Sequence, residues 1–201
     1  MLYICTLKKE EIRNSRIVNL ICMNKKINGM RPQDIVVLLK KMTSSGKTML
    51  NKDIAASLGI SPAEISDAME RCRVAQLVDP TKSRVNTLAL KDFLVYGLKY
   101  VFPIVPGSII RGVPTAVSAS PIKEQISQSA DTYVWPYKKG NMRGQSVNPL
   151  YVTVPEAVTK DEEFYHLLVI VDTLRMGRMR EREIAIVELD KAIERYGQNK
   201  S

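Results

Sequence analysis

Gly46-Lys47-Thr48 has the form of the tail of a nucleotide-binding phosphate loop. In such a loop, glycine amides and a lysine hold the phosphates while a hydroxyl reaches magnesium. Leu167-Leu-Val-Ile-Val-Asp172 has the form of its usual counterpart, an apolar strand ending in a magnesium-binding aspartate. Two halves of an ATPase therefore stand in one chain. The loop, however, needs a glycine five residues before Gly46, so that successive N–H groups can curl around a phosphate, and that position is Lys41. Pro32 and the unbroken Lys40-Lys41 favour a helix where the preceding strand should be, and Leu167–Asp172 equally fits the apolar face of a helix. A small P-loop NTPase is the remote reading. Other chemistry is scarce. Cys5, Cys22 and Cys72 are too widely spaced for a disulfide framework or a zinc pattern, and His166 is the one histidine. No catalytic residue, metal or cofactor is expected.

The elements around these residues point to a different phosphate. The chain has 201 residues, 45% hydrophobic and 25% charged, with a net charge of +9. That composition suits a soluble globular protein. No apolar run reaches the roughly 18 residues of a membrane span, so a cytoplasmic protein without a membrane partner is expected. The charge is uneven. Residues 1–29 carry six Lys/Arg against two Glu, residues 30–100 eleven against seven acids, and residues 101–201 thirteen against twelve. A polyanion would therefore be met mainly by the first half.

From Pro32 the helical signals sharpen. Pro32 opens a helix of about ten residues through Ile35, Val36, Leu38 and Leu39, which Thr43-Ser-Ser-Gly46 ends. A second helix is expected around Lys52–Ser57, then a turn at Leu58-Gly59-Ile60, then a third helix to about Val74. Ser61-Pro-Ala-Glu64 fits a capping box, with Ser61 on the Glu64 amide and Glu64 reaching back. Ala75–Val78 and Arg84-Val85 flank Asp79–Ser83 as a short hairpin, and Asn86 caps a helix to about Phe102. Ile54, Leu58, Ile60 and Ile65 supply a core, small Ala55 and Ala68 let two helices cross closely, and Gly59 lies where the turn needs a positive φ.

Together these positions resemble the winged helix-turn-helix of MarR-type bacterial regulators over residues 32–86. The resemblance implies that the helix from Pro62 enters the major groove by its N-terminal end while the hairpin acts as a wing on the backbone. With Ile65, Met69 and Cys72 inward, the implied DNA-binding residues are Ser61, Pro62, Ala63, Ser66, Asp67 and Arg71, with Arg73, Lys82, Ser83 and Arg84 on the backbone. Ser66 and Arg71 are the foremost of these.

Residues 103–155 hold seven of the ten prolines and are expected to be irregular and partly β, with one short helix from Pro121 capped by Ser120. Tyr133, Trp135 and Tyr137 alternate as on a strand and are expected to pack. A helix from Asp161 and another from Gly177 to about Tyr196 form a hairpin or a dimer seam. Between them, Arg175, Arg178, Arg180 and Arg182 could meet a partner or phosphate, or pair with nearby glutamates. The expected fold is mainly α with a small β-wing, a winged helix-turn-helix followed by an irregular α+β region and a helical hairpin. Three parts are expected: a basic extension (1–29), the winged domain with its following helix (30–102), and a dimerisation or partner region (103–201). The function expected is a homodimeric, sequence-specific transcriptional repressor on double-stranded DNA. The alternative is an antitoxin-like adaptor whose second half binds a protein partner.

Overall fold

The computed structural model describes residues 29–43, 49–126 and 131–198. Residues 1–28 of the expected basic extension and the Gly46-Lys47-Thr48 signal lie outside the described residues. Arg31–Ser201 form one compact unit, distinct from Met1–Met30.

Helix α1 (Pro32–Met42) starts where Pro32 fixes φ and the Asp34 carboxylate accepts the Arg31 amide at 2.8 Å. Ile35, Val36, Val37, Leu38 and Leu39 are all fully buried. A helix that is apolar all round must be covered all round. Its cover comes from both halves of the sequence: α2 (Asn51–Leu58), α3 (Pro62–Val74) and α7 (Glu162–Met176) all pack against it. Helix α7 is equally enclosed, with Phe164 and every residue from Leu167 to Leu174 buried. Leu167–Asp172 is therefore helix, and the strand half of the phosphate-loop reading falls. A charge couples the two buried helices: Lys40, in the last turn of α1, reaches Asp161, the N-cap of α7, at 2.5 Å. The cation sits at a helix C-terminus and the carboxylate at an N-terminus, so each also favours its own helix dipole.

Asn86 caps the next helix by accepting the Ala89 amide at 3.3 Å, as its position predicts. That helix runs as α4 (Thr87–Asp92), a π-turn (Phe93–Gly97) and α5 (Leu98–Val101). The expected hairpin after α3 holds a single β-bridge, Val78 to Val85, with no strands of its own.

The strands lie downstream. β1 (Ile109–Pro114) pairs antiparallel with β2 (Tyr133–Pro136) and β3 (Met142–Ser146). β2 and β3 pair in parallel at Tyr133–Gln145 and Val134–Ser146, closing three strands into a small barrel. So tight a closure needs glycine where backbones touch: a Cβ on Gly112 would lie 2.0 Å from the Trp135 carbonyl oxygen, and one on Gly140 2.1 Å from that of Gly112. The helix expected from Pro121 is only a 3-10 turn (Lys123–Gln125), since the Ser120 hydroxyl bonds the Glu124 carboxylate and no backbone amide. Short α6 (Val154–Ala157) follows the barrel and packs on α2, where the Thr153 hydroxyl donates to the Leu58 carbonyl at 2.5 Å.

Buried Asp172 fastens the barrel to α7. It accepts from Trp135 Nε1 at 2.6 Å, Thr115 Oγ1 at 2.9 Å and Arg175 at 2.7 Å. Trp135 is thus a packing residue, as expected. Helix α8 (Met179–Gln198) folds back along α7 and reaches the bridge, where the Tyr196 hydroxyl accepts the Val85 amide at 3.2 Å. The molecule is mostly helical with a small three-stranded sheet. No helix among the described residues is long and apolar enough to cross a membrane.

Candidate nucleic-acid interface

The turn between α2 and α3 follows from its residues. Gly59 takes φ +63°, a left-handed conformation that glycine adopts without strain, and ends α2. Ser61 then accepts the Glu64 amide at 3.2 Å and starts α3 with Pro62 in its first turn. Ile54, Leu58, Ile60, Ile65, Ala68, Met69 and Cys72 are buried between the helices. Burial pushes the Cys72 thiol up to about 12, so it is an inert core group. Of the residues expected at the start of α3, Ser61, Pro62, Ala63, Ser66 and Asp67 are all exposed.

Arg71 is not among them. It is 5% exposed and holds fully buried Asp34 in a two-pronged grip, Nε to Oδ2 at 2.8 Å and NH2 to Oδ1 at 2.6 Å. The same NH2 donates to Glu64 at 2.8 Å, and Gln33 donates to that oxygen at 2.6 Å. The Arg71 contact expected for DNA is therefore corrected: the side chain is 5% exposed and its Nε and NH2 donors are spent inside the protein, binding α3 to α1. The capping box is corrected too, because Glu64 turns to Arg71 and Gln33 instead of reaching back to Ser61. Arg71 lies about 120° from Ile65 on a helical wheel, at the margin of the buried face, where periodicity alone does not decide between inside and outside. The signal the sequence did offer is Asp34, an acid at the start of an otherwise apolar helix.

Arg73 and Lys82 converge on one carboxylate. Glu70 accepts from Arg73 at 2.6 Å and pairs with Lys82 at 2.7 Å, and these bonds hold its carboxyl down at about 2. Exposed ion pairs of this kind contribute about 0–1 kcal/mol. A DNA phosphate could therefore take over either cation at little cost. At the tip of the bridge, Asp79 accepts from the hydroxyls of Thr81 and Ser83 and, at 2.7 Å, from the Arg84 amide. These donors, Thr81 foremost, hold its carboxyl well below the usual range. The Ser83 hydroxyl is thus engaged within the tip, while the Arg84 side chain is exposed with no ion pair among the described residues. Arg73, Gln76, Asp79, Arg84 and Asn86 line a cleft of about 740 Å³ between α3 and the tip.

The four arginines around the junction of α7 and α8 do not form one surface. Arg175 is buried on Asp172 and on the Phe102 carbonyl, at 2.7 and 2.9 Å, which removes it from the expected phosphate or partner contacts. Arg182 is half-buried and donates to the Val95 carbonyl at 2.8 Å. Arg178, 3.9 Å from Asp131, and Arg180 are exposed. Sequence reading passed over another basic group. Residues 93–123 and 132–155 contain no carboxylate, yet include Arg111, Lys138, Lys139 and Arg143, all four exposed on or beside the barrel. The missing acids were the available signal.

Helices α2 and α3 thus meet across the Gly59 turn, and the bridged tip follows α3 directly. Comparison with protein families, with curated proteins and with solved structures finds no match to this chain.

Proposed function

We propose that the chain is a winged helix-turn-helix protein that binds double-stranded DNA sequence-specifically and acts as a dimeric transcriptional repressor. The observation that carries the reading is the N-terminal end of α3: Pro62, Ala63, Ser66 and Asp67 stand exposed together just past a Gly59 turn at φ +63°. Their small side chains let a helix approach base edges closely, and Ser66 offers both a donor and an acceptor there. Arg84, Arg73 and Lys82 flank them as backbone contacts that neutralise phosphates. Selection of bound sites from random duplex DNA, followed by titration of the selected site over a salt series, tests this. An inverted repeat with half-sites about one helical turn apart is expected. If no sequence is enriched, the repressor reading is wrong.

A second reading is an adaptor for a protein partner, with the contact placed outside the second half that the antitoxin-like reading assigned to it: Leu88, Tyr96 and Tyr100 are each more than 70% exposed on α4, the π-turn and α5. Apolar side chains so gathered on one helix suit a protein contact. A second copy on this face would instead serve the repressor. Light scattering of Tyr96→Ser/Tyr100→Ser separates the two: a monomer assigns the face to self-association, and an unchanged dimer leaves it for a foreign partner.

A further inference from the structure

The barrel carries a charge arrangement that its own fold opposes. Arg111 on β1 and Arg143 on β3 are directly opposite one another in the antiparallel ladder. Directly opposed side chains share a face with Cβ atoms about 5 Å apart, and like charges so placed destabilise the pair. Lys138 and Lys139 stand in the turn joining β2 to β3. That turn is pinned to the same end of the barrel, because the Tyr137 amide donates to the Arg111 carbonyl at 3.3 Å and Gly140 lies against Gly112. Four exposed cations thus stand on the same part of the barrel, and none has an ion pair among the described residues. Residues 93–123 around Arg111 and residues 132–155 around Lys138, Lys139 and Arg143 contain no carboxylate of their own.

We infer that this end of the barrel is a second phosphate-backbone contact for double-stranded DNA, separate from the base-reading end of α3. The inference rests on the DNA-binding reading and extends it. A DNA strand offers one phosphate about every 3.4 Å of axis, so two opposed guanidiniums can hold neighbouring phosphates. Each guanidinium makes the forked contact that suits phosphate oxygens. Arg111 and Arg143, whose repulsion weakens the free protein, are relieved when the polyanion binds.

The experiment compares the full chain with Arg111→Gln/Arg143→Gln and with Lys138→Gln/Lys139→Gln, by fluorescence anisotropy on the selected duplex and a scrambled one across a salt series. For the arginine pair the log–log salt slope should shrink by about 1.8, which is two phosphates at about 0.9 each. Affinity at low salt should fall on the order of tenfold or more on both duplexes, leaving the ratio between them unchanged. The thermal midpoint should stay level or rise, since a repulsion is removed. The lysine pair should lower the slope in the same way. Ser66→Ala should do the reverse, changing the ratio and sparing the slope. If the natural protein binds duplex DNA but neither barrel variant moves the slope, the barrel assignment is overturned alone. If the natural protein binds no duplex, the DNA reading falls and takes the assignment with it. Tighter binding of single-stranded RNA than of duplex, lost in the barrel variants, overturns the choice of DNA.

Discussion

Arg71 and Ser66 stand on the same helix, but only Ser66 faces solvent. Arg71→Ala should leave the buried Asp34 carboxyl without its guanidinium, a change that costs about 3–5 kcal/mol. Chemical denaturation should show that loss, while any DNA-binding defect should appear only through unfolding. Ser66→Ala should change stability by no more than about 0.5 kcal/mol, the range of ordinary surface substitutions. Glu70 gives a pH dependence. Its carboxyl is held at about 2 by Arg73 and Lys82 against an ordinary 4.5, so its stabilisation is complete above the unfolded value and is lost as pH falls from 4.5 toward 2. Glu64 shifts in the same direction, Arg71 being the main cause. Stability measured by denaturant should therefore drop on the acid side of pH 4.5, and Glu70→Gln should flatten that drop without changing its direction.

Among the elements, helices were more legible than the barrel. Pro32, Ser61 and Asn86 announced helix starts because Ser61 and Asn86 accept an otherwise free backbone N–H and Pro32 has none to satisfy, and Gly59 announced the turn because it takes a positive φ without strain. Ser61→Ala should cost about 1 kcal/mol in a thermal or denaturant melt, the usual worth of an N-cap. The barrel depends on contacts far apart in sequence, such as Gly140 on Gly112 and Trp135 on Asp172, and these leave no periodic trace. Even so, Gly112→Ala should fail to yield a folded barrel, because its Cβ would overlap the Trp135 backbone. Loss of the near-UV signal of the single tryptophan would report it. The Leu167–Asp172 run shows the limit of pattern reading: a fully buried helix and a buried strand are both continuously apolar, and length with flanking residues must decide.

At the scale of the whole molecule, the expected boundary at residue 102 crosses a core that both sides build. Helix α1 is covered by α2 and α3 from one side of that boundary and by α7 from the other, and the bridge is held at Val85 by Tyr196 of α8. A fragment of residues 30–102 should therefore lack a cooperative thermal transition, whereas the full chain should melt in one step. Charge was legible in sum but not in placement, since the nearly balanced second half hides a barrel without acids beside acidic helices. The doubly covered α1 also limits how such a protein can be inherited. Modules are exchanged between genes where few contacts cross the joint, and no such joint falls between α1 and α7. A recombination joint placed between α1 and α7 would strip α1 of part of its cover, so the α3 end and the barrel are kept together by the requirement to fold.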